Sequence, residues 1–180
     1  MLDFETPLPE SGWDCVHVED YGEATQRCEM CKHERIRFIH VMEHCELLLT
    51  ARMGRVCAAK YGADPAAPLR RERNLKNRAL RRQNWLTRRW RTSAKGNDTR
   101  QVQGKHVSVF WRGRGYAYWI GWTEYKPIFE NGEDTGYDEE IEHSDFSPRI
   151  YTTADAAKLA LFDELWPLAD CFNVTEEAEE

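Results

Sequence analysis

The chain has 180 residues, with 25 Lys+Arg against 31 Asp+Glu for a formal net charge of −6. Its 41% hydrophobic and 12% aromatic content exclude a disordered chain and suffice for one ordinary domain or two small ones. From Arg70 to Arg91 there are ten basic residues and one acid, Glu72, a local +9 that leaves −15 elsewhere; this excludes a wholly cationic nucleic-acid coat but not a local basic surface.

The opening stretch MLDFETPLPESGWD is acidic and broken by prolines. It lacks a basic n-region and an apolar h-region, so it is not expected to act as a signal peptide. No apolar run approaches the ~20 residues a membrane helix needs. The expected compartment is a reducing cytoplasm, in which the six cysteines serve as thiols or metal ligands rather than disulfides. Phosphate loops, dinucleotide fingerprints and nucleophile elbows are absent.

Cys28-Glu29-Met30-Cys31 follows, a Cys-x-x-Cys knuckle of the kind that aims two sulfurs at one tetrahedral metal. His40, His44, Cys45 and Cys57 lie within the next 30 residues. Cys28, Cys31, His44 and Cys57 would give three thiolates and one imidazole. His40 could replace His44, four residues away, and Cys45 could replace it to give four thiolates. The spacing leaves these alternatives open. A segment with so few large apolar residues is the kind that a structural metal staples.

The basic block reads as a helix. Pro68 suits a first turn, and RRERNLKNRALRRQNWLTRRW contains no glycine or proline. Helical periodicity gathers Leu75, Ala79, Leu86 and Trp90 into a stripe expected to lie buried under the C-terminal sheet. Arg70, Arg71, Arg78, Arg81, Arg82, Arg88 and Arg89 fall on an adjoining arc and are candidate phosphate contacts, with Trp85 or Trp90 available to stack on a base. The same arc could instead pair with the protein's own acidic loop, 130–145.

Beyond Gly104 the period becomes two. KHVSVFW and YAYWIGW flank the turn RGRG, which reads as a hairpin. Tyr116, Tyr118, Ile120 and Trp122 form the expected core face. A further strand through 125–129, the acidic loop and a short strand at 149–151 precede a final helix capped by Thr152 or Thr153. That helix is expected to bury Ala157, Ala160, Leu161 and Leu165, and the chain ends in an acidic tail.

Two resemblances add to this reading. The stretch CEMCKHERIRFIHVMEHCELLLTARMGRVCAAKY resembles a zinc-ribbon-like segment found in small phage, plasmid and bacterial proteins. There a Cys-x-x-Cys is followed by an Ile-Arg-aromatic-x-His element, a second His and a Gly-x-x-Cys-Ala. The resemblance implies structural zinc on Cys28, Cys31, His44 and Cys57, and association with a phage or mobile element; Cys45 departs from its pattern. The strand–strand–strand–helix order at the C-terminus is similar to the DNA-binding domains of plant ethylene-response factors and some phage integrase arms. That likeness implies nucleic-acid contacts from Arg112, Arg114, Trp119 and Trp111.

The expected fold is therefore α+β: a zinc-ribbon-like module over 1–62, a basic helix connector over 63–98, an antiparallel sheet packed by one helix over 99–170, and a tail over 171–180. The expected function is non-enzymatic nucleic-acid or nucleoprotein binding, without a membrane. One alternative is a protein-interaction or inhibitory factor whose acidic loop engages a basic partner. Another is a His-Asn-His-type metal nuclease built on the knuckle, with His40 and His44 as its histidines.

Overall fold

The computed structural model describes residues 9–130 and 133–172, so positions 173–180 of the expected tail and the tip of the acidic loop lie outside the described residues. Cys171, expected in the tail, is instead buried at the end of a short 3-10 helix, Leu168–Cys171. The fold is α+β with two antiparallel sheets. The chain divides into two compact units, one formed by 1–80 with 166–180 and the other by 81–165. This division differs from the sequence expectation, since it falls inside a helix and returns the C-terminal segment to the first unit.

In the first unit, β1 (Trp13–Asp20), β2 (Phe38–His44) and β3 (Thr50–Met53) form a three-stranded sheet in the order β1-β2-β3. α1 (Arg55–Tyr61) follows directly. Trp13, Cys28, Met42, Ala51, Met53, Cys57 and Ala58 make one buried cluster, and Val18, Phe38, Leu75 and Cys171 make a second.

α2 (Ala67–Trp85) begins where the Asp64 carboxylate accepts the backbone N–H groups of Ala66 and Ala67 at 2.8 and 3.2 Å. These donors, with the Arg70 guanidinium, hold the Asp64 carboxyl below its usual range. Orphan amides at a helix start are satisfied this way.

The expected stripe on α2 is corrected by the structure. Leu75 is buried, but among Val18, Phe38 and Cys171 of its own unit, and Ala79 is exposed. The helix stops at Trp85, and the Thr87 hydroxyl donates to the Asn84 carbonyl at 3.0 Å just beyond it. Arg88 and Arg89 therefore stand off the helix, and Trp85 rather than Trp90 is fully buried.

Glu72 is the lone acid of the basic block, and it is 6% exposed. Its Oε1 lies 3.3 Å from His40 Nε2, and its Oε2 lies 3.5 Å from an Arg55 guanidinium nitrogen. His40 is fully buried, with its Nδ1 4.0 Å from Cys15 Sγ. Cys15 adjoins a register shift in β1, and burial pushes its thiol up from the usual range.

The second unit holds a five-stranded sheet in sequential order: β4 (Arg91–Thr92), β5 (Asp98–Val102), β6 (Lys105–Trp111), β7 (Tyr116–Glu130) and β8 (Glu133–Phe146). The segment expected to be an acidic loop is thus mainly a strand, paired along nearly all of β7. α3 (Ala154–Leu165) packs across β6 and β7. The Thr153 hydroxyl accepts the Ala156 N–H at 3.1 Å, which fixes Thr153 as the cap.

Val107, Val109, Tyr118 and Ile120 are buried from the sheet, and Ala157, Leu161 and Phe162 from α3. Tyr116, Trp122, Ala160 and Leu165 are only half-buried, because α3 turns Phe162 inward in place of the last two. Trp85 closes this core: its indole N–H donates to Lys158 O at 2.7 Å, and its ring meets Phe162 edge-on at 5.8 Å. No helix of the described residues is long and apolar enough to cross a membrane.

Removing one partner of the His40–Glu72 contact leaves a buried polar group uncompensated. Glu72→Ala is expected to lower the unfolding free energy by about 3 kcal/mol, measured from the denaturant midpoint. Reversal of the neighbouring exposed Arg73 is expected to leave it within about 0.5 kcal/mol.

Candidate metal centre and candidate nucleic-acid interface

The sulfurs of Cys28, Cys31 and Cys57 all lie within 4.8 Å of one another. Local backbone geometry brings them together. Cys28 N–H donates to His33 O at 2.9 Å and Lys32 N–H to Cys28 O at 3.0 Å, which closes the knuckle. Lys32 and Arg35 take the left-handed backbone this turn requires, at φ 60° and 63°.

Gly54 N–H donates to Cys28 Sγ at 3.4 Å, and α1 then carries Cys57 inward. A donor from the His33 backbone holds the Cys31 thiol below its usual range. Burial pushes the Cys57 thiol up to about 12. Cys28 and Cys57 are buried while Cys31 is exposed, and no disulfide forms among the six cysteines. Three clustered sulfurs with backbone N–H donors on them fit a thiophilic metal ion.

The fourth residue expected at this site, His44, does not join it. His44 ends β2, where its Nδ1 accepts the N–H groups of Glu46 and Leu47 at 3.2 and 3.3 Å. Its ring stands edge-on to Trp13 at 5.3 Å, and a Cβ on Gly12 would come within 2.9 Å of its Nε2. His40, the first alternate, is committed to Glu72. Cys45, the second, is exposed beside Gly12 rather than in the cluster. His40 and His44, the histidines of the nuclease alternative, both stand outside the sulfur cluster.

The arginine arc of α2 is largely spent within each unit. Arg70 pairs with Asp64. Arg71 Nε donates to Phe172 O at 3.3 Å and Arg78 Nε to Trp166 O at 2.8 Å. Arg82 grips both oxygens of Asp163 at 3.0 Å, which raises its pKa further. Arg81, Arg88 and Arg89 are exposed.

Arg112 and Arg114, in the β6–β7 turn, line a small hollow with Arg149 rather than the Trp119 face. Trp111 is 59% exposed and meets Tyr116 edge-on.

A feature that sequence reading missed is a groove of about 1200 Å³ in the second unit. Strand alternation places Thr99, Gln101, His106, Ser108, Trp119, Gly121, Thr123, Tyr125, Glu142 and Ser144 on the sheet face opposite Val107 and Ile120. All of them line the groove, with Arg89 and Arg91 at its β4 side. Arg100 also borders it, although its guanidinium stacks on Trp85 at 5.2 Å with Nη1 buried and lacking a hydrogen-bond partner. Beside Arg100, the groove wall holds two exposed arginines, Arg89 and Arg91, against one carboxylate, Glu142. The strand alternation that reveals this face was visible in KHVSVFW; the short strands β4 and β5 that extend it were not.

Cobalt(II) added to the reduced protein is expected to give thiolate-to-metal charge-transfer absorbance with about one ion per chain. Cys28→Ser and Cys57→Ser should abolish it, whereas His44→Ala should keep it. Because Cys57 must lose its proton to bind, uptake should release protons and tighten as pH rises from 6 to 8. The chain matches no family model, no curated protein and no solved structure.

Proposed function

We propose that this chain is a non-enzymatic nucleic-acid-binding protein, with zinc stapling its first unit and the grooved sheet face of its second unit as the contact surface. The groove carries this reading. It combines exposed guanidiniums at one wall with aromatic and hydrogen-bonding side chains on its floor. Arginines in such a setting contact phosphates, and aromatic rings meet bases.

Zinc is the ion that best suits Cys28, Cys31 and Cys57, since it favours tetrahedral thiolate sites and brings no redox chemistry to a small core. A reducing cytoplasm keeps six free thiols in that form. The sequence expectation named both the helix ridge and Trp119 of the sheet; this reading keeps Trp119 and sets the ridge aside, because Arg71, Arg78 and Arg82 already have acceptors.

A second reading is favoured by the ribbon beyond residue 122, where β8 exposes Asp138, Glu139, Glu140 and Glu142 and the ribbon also exposes Tyr125, Phe129 and Tyr137. That surface suits a basic protein partner.

Binding of labelled oligonucleotides is expected to weaken steeply with salt. Replacing Arg88, Arg89 and Arg91 together by alanine should lower affinity at least about tenfold and reduce the salt slope by about 2. Arg71→Ala and Arg78→Ala should leave affinity unchanged. Absence of salt-sensitive binding to any DNA or RNA would refute the nucleic-acid reading, and dependence on Arg71 and Arg78 instead would restore the helix ridge. Metal analysis of protein purified without chelators should find zinc.

A further inference from the structure

We infer that the groove receives a single nucleic-acid strand, one unpaired base stacking on the Trp119 indole, and that Gly121 is the residue that makes room for that platform. The inference rests on the nucleic-acid reading above and specifies its ligand.

Trp119 and Gly121 lie two residues apart on one face of β7. A Cβ on Gly121 would fall 2.2 Å from Cη2 and 2.3 Å from Cζ2 of the Trp119 ring. The benzenoid half of the indole therefore occupies the space a side chain would take and is held down against the strand. It rests there because residue 121 has no Cβ.

The half-buried Trp119 has small residues at two of its flanking positions. Ser108 stands opposite Trp119 on β6, and Gly121 stands between Ser144 on β8 and the exposed His106 on β6. Neither serine is large enough to cover an indole, and His106 borders the groove. Phe146, opposite Trp119 on β8, is 59% exposed and widens the aromatic surface. Tyr125, 62% exposed, lies six residues further along β7, a run of about 20 Å that spans several nucleotides.

Charge sets the direction in which a strand lies. The sheet order puts β4 at one edge and β8 at the other. Arg89 and Arg91 stand at the β4 side of the groove and Glu142 at the β8 side. Phosphates run along the basic wall and are repelled from the acidic one, so the bases point across the floor towards Trp119. Bases in a duplex present their edges to a protein and hide their faces in the stack. A flat indole on a sheet floor meets base faces, which only an unpaired strand offers. A neutral sugar also stacks on tryptophan, but it leaves the arginine wall without a counterpart.

The test measures anisotropy of a labelled 12-nucleotide single strand, as DNA and as RNA, and of the matching duplex, on the full chain at fixed salt. The single strand is expected to bind at least about tenfold more tightly than the duplex. Trp119→Ala should cost about 5- to 100-fold in single-strand affinity, the range for loss of one stacked base, with the salt slope unchanged. Trp119→Phe should restore most of it. Gly121→Ala should reproduce much of the loss by displacing the indole while every charge remains.

An oligonucleotide carrying abasic sites, bound to the unaltered protein, should show the same loss without any question of folding. Wild-type affinity for the abasic strand, or preference for the duplex, overturns this inference and leaves charge-borne nucleic-acid binding standing. Binding to no nucleic acid at all, or only to a neutral oligosaccharide, overturns both readings.

Discussion

A carboxylate kept inside the first unit fixes how its helix can sit. Taking a carboxylate out of water costs several kcal/mol unless it finds partners. Glu72 finds two, the imidazole of His40 on the central strand and the guanidinium of Arg55 at the start of α1. With that residue turned inward, Leu75, three positions on, faces the core beside Phe38 and Val18. The arginines at 70, 71 and 78 are carried to half-buried positions where they take up a carboxylate and two main-chain carbonyls. One buried acid thus decides which face of a strongly basic helix is hidden.

Much of the architecture was legible in the sequence because it rests on local chemistry. The alternation of Val107 and Val109, the hairpin at Arg112–Gly115 and a helix cap at Thr152 or Thr153, which proves to be Thr153, are decisions made within a few residues. The Cys28–Cys31 knuckle was readable in the same way, and its distant partner Cys57 by residue type and spacing. What could not be read was competition between distant partners. His44 carries the residue type and spacing of a ligand, but two backbone amides and the Trp13 ring claim it first. The stripe through Ala79 and Trp90 assumed a helix that continues; Trp85 instead plugs the core and ends it. Glu72 did leave a signal, a single acid among ten bases at helical spacing from Leu75.

The two candidate sites depend on different kinds of preparation. The thiolate cluster is assembled from a left-handed turn at Lys32 and the first turns of α1, so the backbone positions its ligands. The groove is prepared by subtraction: glycine at 121 and serines at 108 and 144 leave a floor on which one large ring can lie. Basic residues at one sheet edge and acidic residues at the other give that floor a polarity. The chain's formal charge of −6 conceals this arrangement, because opposite charges stand on separate strands of one sheet.

The acceptors chosen by Arg71 and Arg78 also govern how this sequence can drift. Both bonds end on main-chain carbonyls, at Phe172 and Trp166, and a carbonyl is supplied by any residue. As far as these two bonds are concerned, the side chains at 166 and 172 can change while the path of the chain is kept. His40 and Glu72 meet side chain to side chain, so a change at one requires a matching change at the other. Covariation between positions 40 and 72, with none imposed between 78 and 166 by their bond, is the record such contacts would leave among relatives.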